Sequence, residues 1–149
     1  MRLVKLVIFI VILCLALWWG IYGNSASENK NMSYGISMMT NKMNYSVGES
    51  IKMTLKVFNY TQEDIVFHFN TSQRNDFIIE DEKGNEIWRW SQDRMFAMVL
   101  GEETLGPTNI EIIYTVEYKG KLSPGYYKIT GIFVAQDRPM SGNIIIIVK

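Results

Sequence analysis

The chain lacks the residues from which covalent cross-links and soft metal sites are built: its 149 residues include one cysteine, Cys14, and one histidine, His68. A single thiol excludes an intramolecular disulfide. One imidazole beside it falls short of the three or four nitrogen and sulfur ligands that a zinc ion takes. An excess of charge of one sign is missing too, with 15 Lys and Arg against 15 Asp and Glu. Nucleic-acid binding draws on clustered cations that neutralise phosphates, so no nucleic-acid partner is expected. Neither a metal nor any other cofactor is expected.

A catalytic base is scarce for the same reason. A Ser-His-acid triad would have to use His68, which stands in "IVFHFN". In an extended strand Ile65, Phe67 and Phe69 share one face, leaving Val66, His68 and Asn70 on the other. That pattern predicts a surface imidazole rather than a catalytic one. The carboxylates Glu80, Asp81 and Glu82 read as a solvated turn rather than an acid–base pair. The chain is therefore expected not to be an enzyme.

Long hydrophobic runs occur once. After Arg2 and Lys5, residues Leu6 to Gly23 carry no charge, a length between a signal-peptide core and a short membrane-spanning helix. Trp18, Trp19 and Tyr22 fall where an aromatic belt would meet the outer interface, and the basic end would stay inside. Residues 1–23 are thus expected to be a signal peptide or membrane anchor, and the polar stretch "NSASENKN", residues 24–31, a tether. Residues 32–149 form the folded domain on this reading, placed outside the cytoplasm, membrane-anchored or secreted.

From residue 32 onward the pattern is that of strands. "SIKMTLKVFNY" sets Ile51, Met53, Leu55 and Val57 against Lys52, Thr54 and Lys56, the period-two signature of a half-buried strand. "DIVFHF", "DFIIED", "NEIWRW", "NIEIIYTVEY", "YYKITGIFV" and "NIIIIVK" follow, separated by turn-formers such as "EKGNE", "SPG" and "RPMSGN". Short, evenly spaced strands without a long amphipathic helix predict an antiparallel β-sandwich or barrel.

"NEIWRWSQDRMF", residues 85–96, puts two tryptophans either side of an arginine. As a strand it turns Trp88 and Trp90 to one face and Ile87 and Arg89 to the other. A hairpin through "EDEKGNE", with Gly84 at positive φ, would bring Phe77 and Ile79 against the indoles as core filling. Arg89 would meet Asp93 and Arg94 as a surface ion cluster. Ser91 is a candidate cap for a turn through "QDRMF". Asn31, Asn44, Asn59 and Asn70 each open an Asn-x-Ser/Thr triplet.

The stretch Val47 to Phe96 resembles the BsuPI-type domain, the intracellular proteinase inhibitor family. The likeness rests on Val47-Gly48-Glu49, Val57-Phe58-Asn59, "FHFNTSQRNDFIIED", "IWRWS" and Met95-Phe96, with "PGYY", Pro124 to Tyr127, matching a later turn and strand. Trp88, Arg89, Trp90, Asp93 and Arg94 belong to that signature, and Tyr118 occupies an aromatic position that is often Trp. The resemblance implies an immunoglobulin-like antiparallel β-sandwich and inhibition of a subtilisin-type serine protease.

Inhibition of that kind needs an exposed loop that enters the protease cleft. "AMVLGEET", Ala97 to Thr104, offers Met98 or Leu100 as an apolar anchor, and "AQDRPMSGN", Ala135 to Asn143, offers Met140. The alternative is a non-inhibitory structural or interaction domain at the cell surface, binding a partner protein or an envelope polymer by a sheet face or edge, with "NIIIIVK" or the first strand as candidate edges.

Overall fold

The computed structural model describes residues 34–108 and 110–149. Everything read from the hydrophobic run and the tether, including its anchor or signal role, lies outside the described residues.

Apolar side chains at every second position decide the secondary structure, because a strand turns alternate residues to opposite faces. Strand β3, Ile51–Asn59, shows it most cleanly: Ile51, Met53, Leu55 and Val57 are buried, while Lys52 is exposed and Thr54 and Lys56 are half-buried. It lies between β1, Tyr34–Thr40, and β8, Glu111–Tyr118, in a three-stranded antiparallel sheet. A second, five-stranded sheet runs β2-β10-β9-β5-β6, made of Asn44–Tyr45, Met140–Val148, Gly125–Phe133, Asn75–Glu80 and Glu86–Arg89. Two further strands, β4 at Ile65–Phe69 and β7 at Gly101–Leu105, pair antiparallel with each other.

The inner faces meet across an apolar core. A side-chain carbon built on Gly131 of β9 would stand 2.6 Å from Leu55 Cδ1 and 2.8 Å from Met38 Sδ, so the sheets approach closely there and a larger residue would force Leu55 and Met38 to move. Phe133 is the aromatic centre. Phe67 and Phe69 of β4 pack edge-on against it at ring-centroid distances of 5.0 and 5.3 Å. Such pairs contribute about 0.5–1.5 kcal/mol each beyond the area they bury.

The all-β expectation holds: the regular elements among the described residues are strands. Purely antiparallel pairing does not, because β2 pairs parallel with β10 through Ile147↔Asn44 and Val148↔Tyr45. "NIIIIVK" belongs to an inner strand, joined to β9 along its length and to β2 at its end. Strands β1, β2 and β7 were not foreseen. Half of the expected loop Ala97 to Thr104 is β7, because Glu102 and Thr104 face solvent while Leu105 is buried, an alternation that starts too late in the segment to stand out. Met140 opens β10 and packs partly buried against the core, since its neighbour across the ladder is Phe133. It therefore does not stand in the loop before β10.

Candidate protein-binding site

The site is built outward from one buried acid. Asp76 is only 4% exposed, and an uncompensated carboxylate there would be strongly unfavourable. It accepts hydrogen bonds from Ser91 Oγ at 2.6 Å, from the Ser91 backbone N–H at 3.1 Å and from Arg89 Nη1 at 3.2 Å. The Arg89 guanidinium also grips Glu86 at 2.6 Å, which raises the arginine pKa and lowers that of Glu86. The expected ion cluster of Arg89 with Asp93 and Arg94 is replaced by this one, because the buried carboxylate lies on the neighbouring strand, two residues along from Ile78, the residue opposite Arg89. Ser91 spends its hydroxyl on Asp76 instead of capping a turn.

The indoles fall where the alternation put them. Register sets Trp88 opposite Ile79, and its ring packs against Tyr118 at 5.2 Å. Trp90 donates its backbone N–H to the Phe77 carbonyl at 2.9 Å. Both are half-buried against the core. Arg94 lies over the Trp90 ring at 4.3 Å and donates to the Trp90 carbonyl, and Phe96 tilts against the same ring. The signature residues therefore clamp the chain as it leaves β6. Asp93 stands exposed in the turn that follows.

Beyond that clamp the chain displays an apolar segment to solvent. Met95 is 100% exposed, Met98 85%, Val99 53% and Leu100 81%. Large apolar side chains gathered on a surface mark a place where something binds. The segment is held at its middle by a reciprocal pair: Ser72 N–H donates to the Ala97 carbonyl at 2.9 Å, and Ala97 N–H donates to Ser72 Oγ at 3.0 Å. A further bond from Val99 N–H to the Ala97 carbonyl closes a γ-turn centred on Met98.

Arg74 supports the far end. It donates to the Thr71 carbonyl at 2.7 Å and to Glu103 Oε1 at 3.1 Å, and lies 4.2 Å over the Phe69 ring. Neither Arg74 nor Ser72 was singled out in the sequence. The one available signal was an arginine placed inside the turn-forming "TSQRN" between two apolar strands.

Beside Leu100 an open groove of about 780 Å³ is lined by His68, Glu102 and Asp137. His68 is a surface imidazole, as its strand position predicted, with Nδ1 3.3 Å from Asp137 and Nε2 3.4 Å from Glu102. The backbone N–H of His68 also donates to Asp137 Oδ1, and that bond is the main cause that lowers the Asp137 pKa.

These elements define an all-β sandwich domain. Among solved structures it is similar to the sporulation control protein Spo0M from Bacillus subtilis, with a TM-score of 0.50 and 14% identity, over 78% of this chain and 49% of that one. The chain thus spans about half the length of Spo0M, and the likeness shows the fold alone. The CARDB domain of a Pyrococcus furiosus protein, solved with di-metal ions, is similar with a TM-score of 0.44 and 11% identity, over 78% of this chain and 87% of that domain. No curated protein matches the chain. The BsuPI family, intracellular proteinase inhibitor, matches residues 38–138. The chain belongs to that family.

Membership corrects one expectation. The hydrophobic run at residues 1–23 led to an extracytoplasmic, membrane-anchored or secreted location, whereas the family is described as intracellular. That location was read from the composition of a segment outside the described residues, and the family match overturns it.

Proposed function

We propose that this protein inhibits a serine protease of the subtilisin type by placing the segment Met95 to Leu100 in the protease cleft. The observation that carries the reading is the exposure of four large apolar side chains on a segment whose backbone is fixed at Ala97, in a member of a proteinase inhibitor family. Either Met98 or Leu100 supplies the anchoring side chain. Met140, packed against the core, takes no part. Trp88, Arg89, Trp90 and Arg94 act indirectly, by fixing where the loop starts.

A loop ordered before binding loses less conformational entropy in the complex, which offsets the lack of a disulfide. A contact of roughly 800 Å² on each partner is the usual size for such a complex. The inhibitory unit on this reading is residues 32–149, an immunoglobulin-like sandwich; the two facing sheets support that description.

Steady-state inhibition of a subtilisin-type protease by the purified protein tests the proposal, with a gel to follow the inhibitor. Dose-dependent inhibition with the inhibitor intact is expected. Undiminished turnover in the presence of the folded protein would refute it.

A further inference from the structure

We infer that Leu100 is the side chain that fills the protease's main specificity pocket, and that the partner is consequently a protease whose pocket is apolar and carries no charge. The inference rests on the inhibitory-loop reading and sharpens it, since Met95, Met98 and Val99 are also exposed and apolar.

Backbone shape separates the four. A peptide held along the edge of a sheet is extended, pairs through its main chain and sends alternate side chains into pockets. Met95 follows the turn closed by Arg94 N–H on the Ser91 carbonyl, and next to it Phe96 is tied to the Trp90 ring. Met98 is the central residue of the γ-turn between Ala97 and Val99, where the chain curls instead of extending. Leu100 comes after that turn and leads directly into β7.

Alternation then fixes its direction. Along β7, Glu102 and Thr104 face solvent while Leu105 is buried, so Leu100 shares the solvent face two residues before Glu102. Strand β7 has β4 as its sheet neighbour and stands at the end of that pair. Its other side is the side along which a cleft strand would pair.

Gly101 supplies the last observation. A Cβ at this position would run into the Arg74 guanidinium, which is itself held by Thr71, Glu103 and the Phe69 ring. The residue after Leu100 therefore has no side chain, and its backbone is backed by a fixed cation. An uncharged leucine in a pocket with a carboxylate at its base would leave that charge buried and unpaired, so a pocket selective for basic residues is disfavoured.

The test measures inhibition constants of the purified chain and its variants against two probes, a subtilisin-type protease and trypsin. The unaltered chain is expected to inhibit the first and spare the second. Leu100→Asp should weaken inhibition of the subtilisin-type enzyme by about 100-fold, the size expected of a central anchor, whereas Met98→Asp should change it by less than about fivefold. Leu100→Lys should gain inhibition of trypsin. Both positions are exposed, so all variants should unfold at the same temperature as the parent.

Inhibition that survives Leu100→Asp, or that is lost with Met98→Asp instead, overturns the assignment while leaving the inhibitory loop standing. Inhibition by no variant, the parent included, overturns the loop reading and this assignment with it.

Discussion

Two buried polar side chains, Asn59 and Asp76, tie separate stretches of the chain together. Asn59 is fully buried and uses its whole side-chain amide: Nδ2 donates to the Glu63 and Leu105 carbonyls at 2.8 and 2.9 Å, and Oδ1 accepts from Thr61 N–H and Oγ1. Its Asn-x-Thr triplet is therefore a structural feature and offers no free amide for glycosylation in the folded state. Asn59→Ala should destabilise by about 3 kcal/mol, since several partners lose their bonds at once. Asp76→Ala should destabilise to a similar degree, about 3 kcal/mol, by stranding Arg89 and Ser91. Urea unfolding measures both, and a change under about 1 kcal/mol would contradict these assignments. Tyr114 should behave in the opposite sense. Its hydroxyl is buried with no hydrogen bond of good geometry among the described residues, and burial pushes the phenol pKa up, with nearby Glu103 acting in the same direction through its charge and a weak contact to the hydroxyl. Tyr114→Phe removes the unsatisfied group and should be neutral or stabilising by up to about 1 kcal/mol; a clear destabilisation in the same assay would reveal a partner for the hydroxyl.

At the scale of elements, the display of residues 95–100 depends on what lies before and behind it. Ser72→Ala deletes the acceptor for Ala97 N–H, and Trp90→Leu removes the ring that Arg94 and Phe96 share. Both variants should keep the sandwich while raising amide exchange at residues 94–100, a change that hydrogen-exchange mass spectrometry would localise. Unaltered protection there would mean that the clamp does not order the loop. Strands with clean period-two alternation, such as β3 and β9, were legible in the sequence, as were the hairpin at Gly84, with φ of 80°, and the burial of the two indoles. β1 and β7 are not legible there because each buries few apolar residues. The pairing of Arg89 with Asp76 was not legible because Asp76 lies on another strand, and periodicity carries no information on which distant acid a cation will meet. Met98 and Leu100 were recognisable as apolar residues in a turn-rich stretch, yet their difference lies in one γ-turn hydrogen bond that composition does not encode.

For the molecule as a whole, acid is the expected solvent weakness. Glu49, Asp81, Glu86, Glu117 and Asp137 all have lowered pKa values: Lys42 holds Glu49, Asn85 holds Asp81, Arg89 holds Glu86, Ser50 holds Glu117, and the His68 backbone N–H holds Asp137. A carboxylate whose folded pKa is depressed adds stability above its unfolded value of about 4 and loses it as pH falls through the folded value. The unfolding temperature should therefore hold level near neutrality and fall below about pH 4, with a somewhat smaller drop in high salt, because Lys42–Glu49 and Arg89–Glu86 are exposed, screened ion pairs while the other three carboxylates are held chiefly by uncharged donors. A profile flat down to about pH 2 would contradict the assigned contacts. The sheet order has a separate consequence. Since β10 lies between β9 and β2, and its end pairs with Asn44 and Tyr45 from the far side of the sequence, a nascent polypeptide still lacking residues 140–148 would leave both flanking strands with an open edge. Ribosome-bound chains that stop before residue 140 should stay sensitive to proteases, and chains that include β10 should turn resistant in one step, so this sheet closes only when residues 140–148 have emerged.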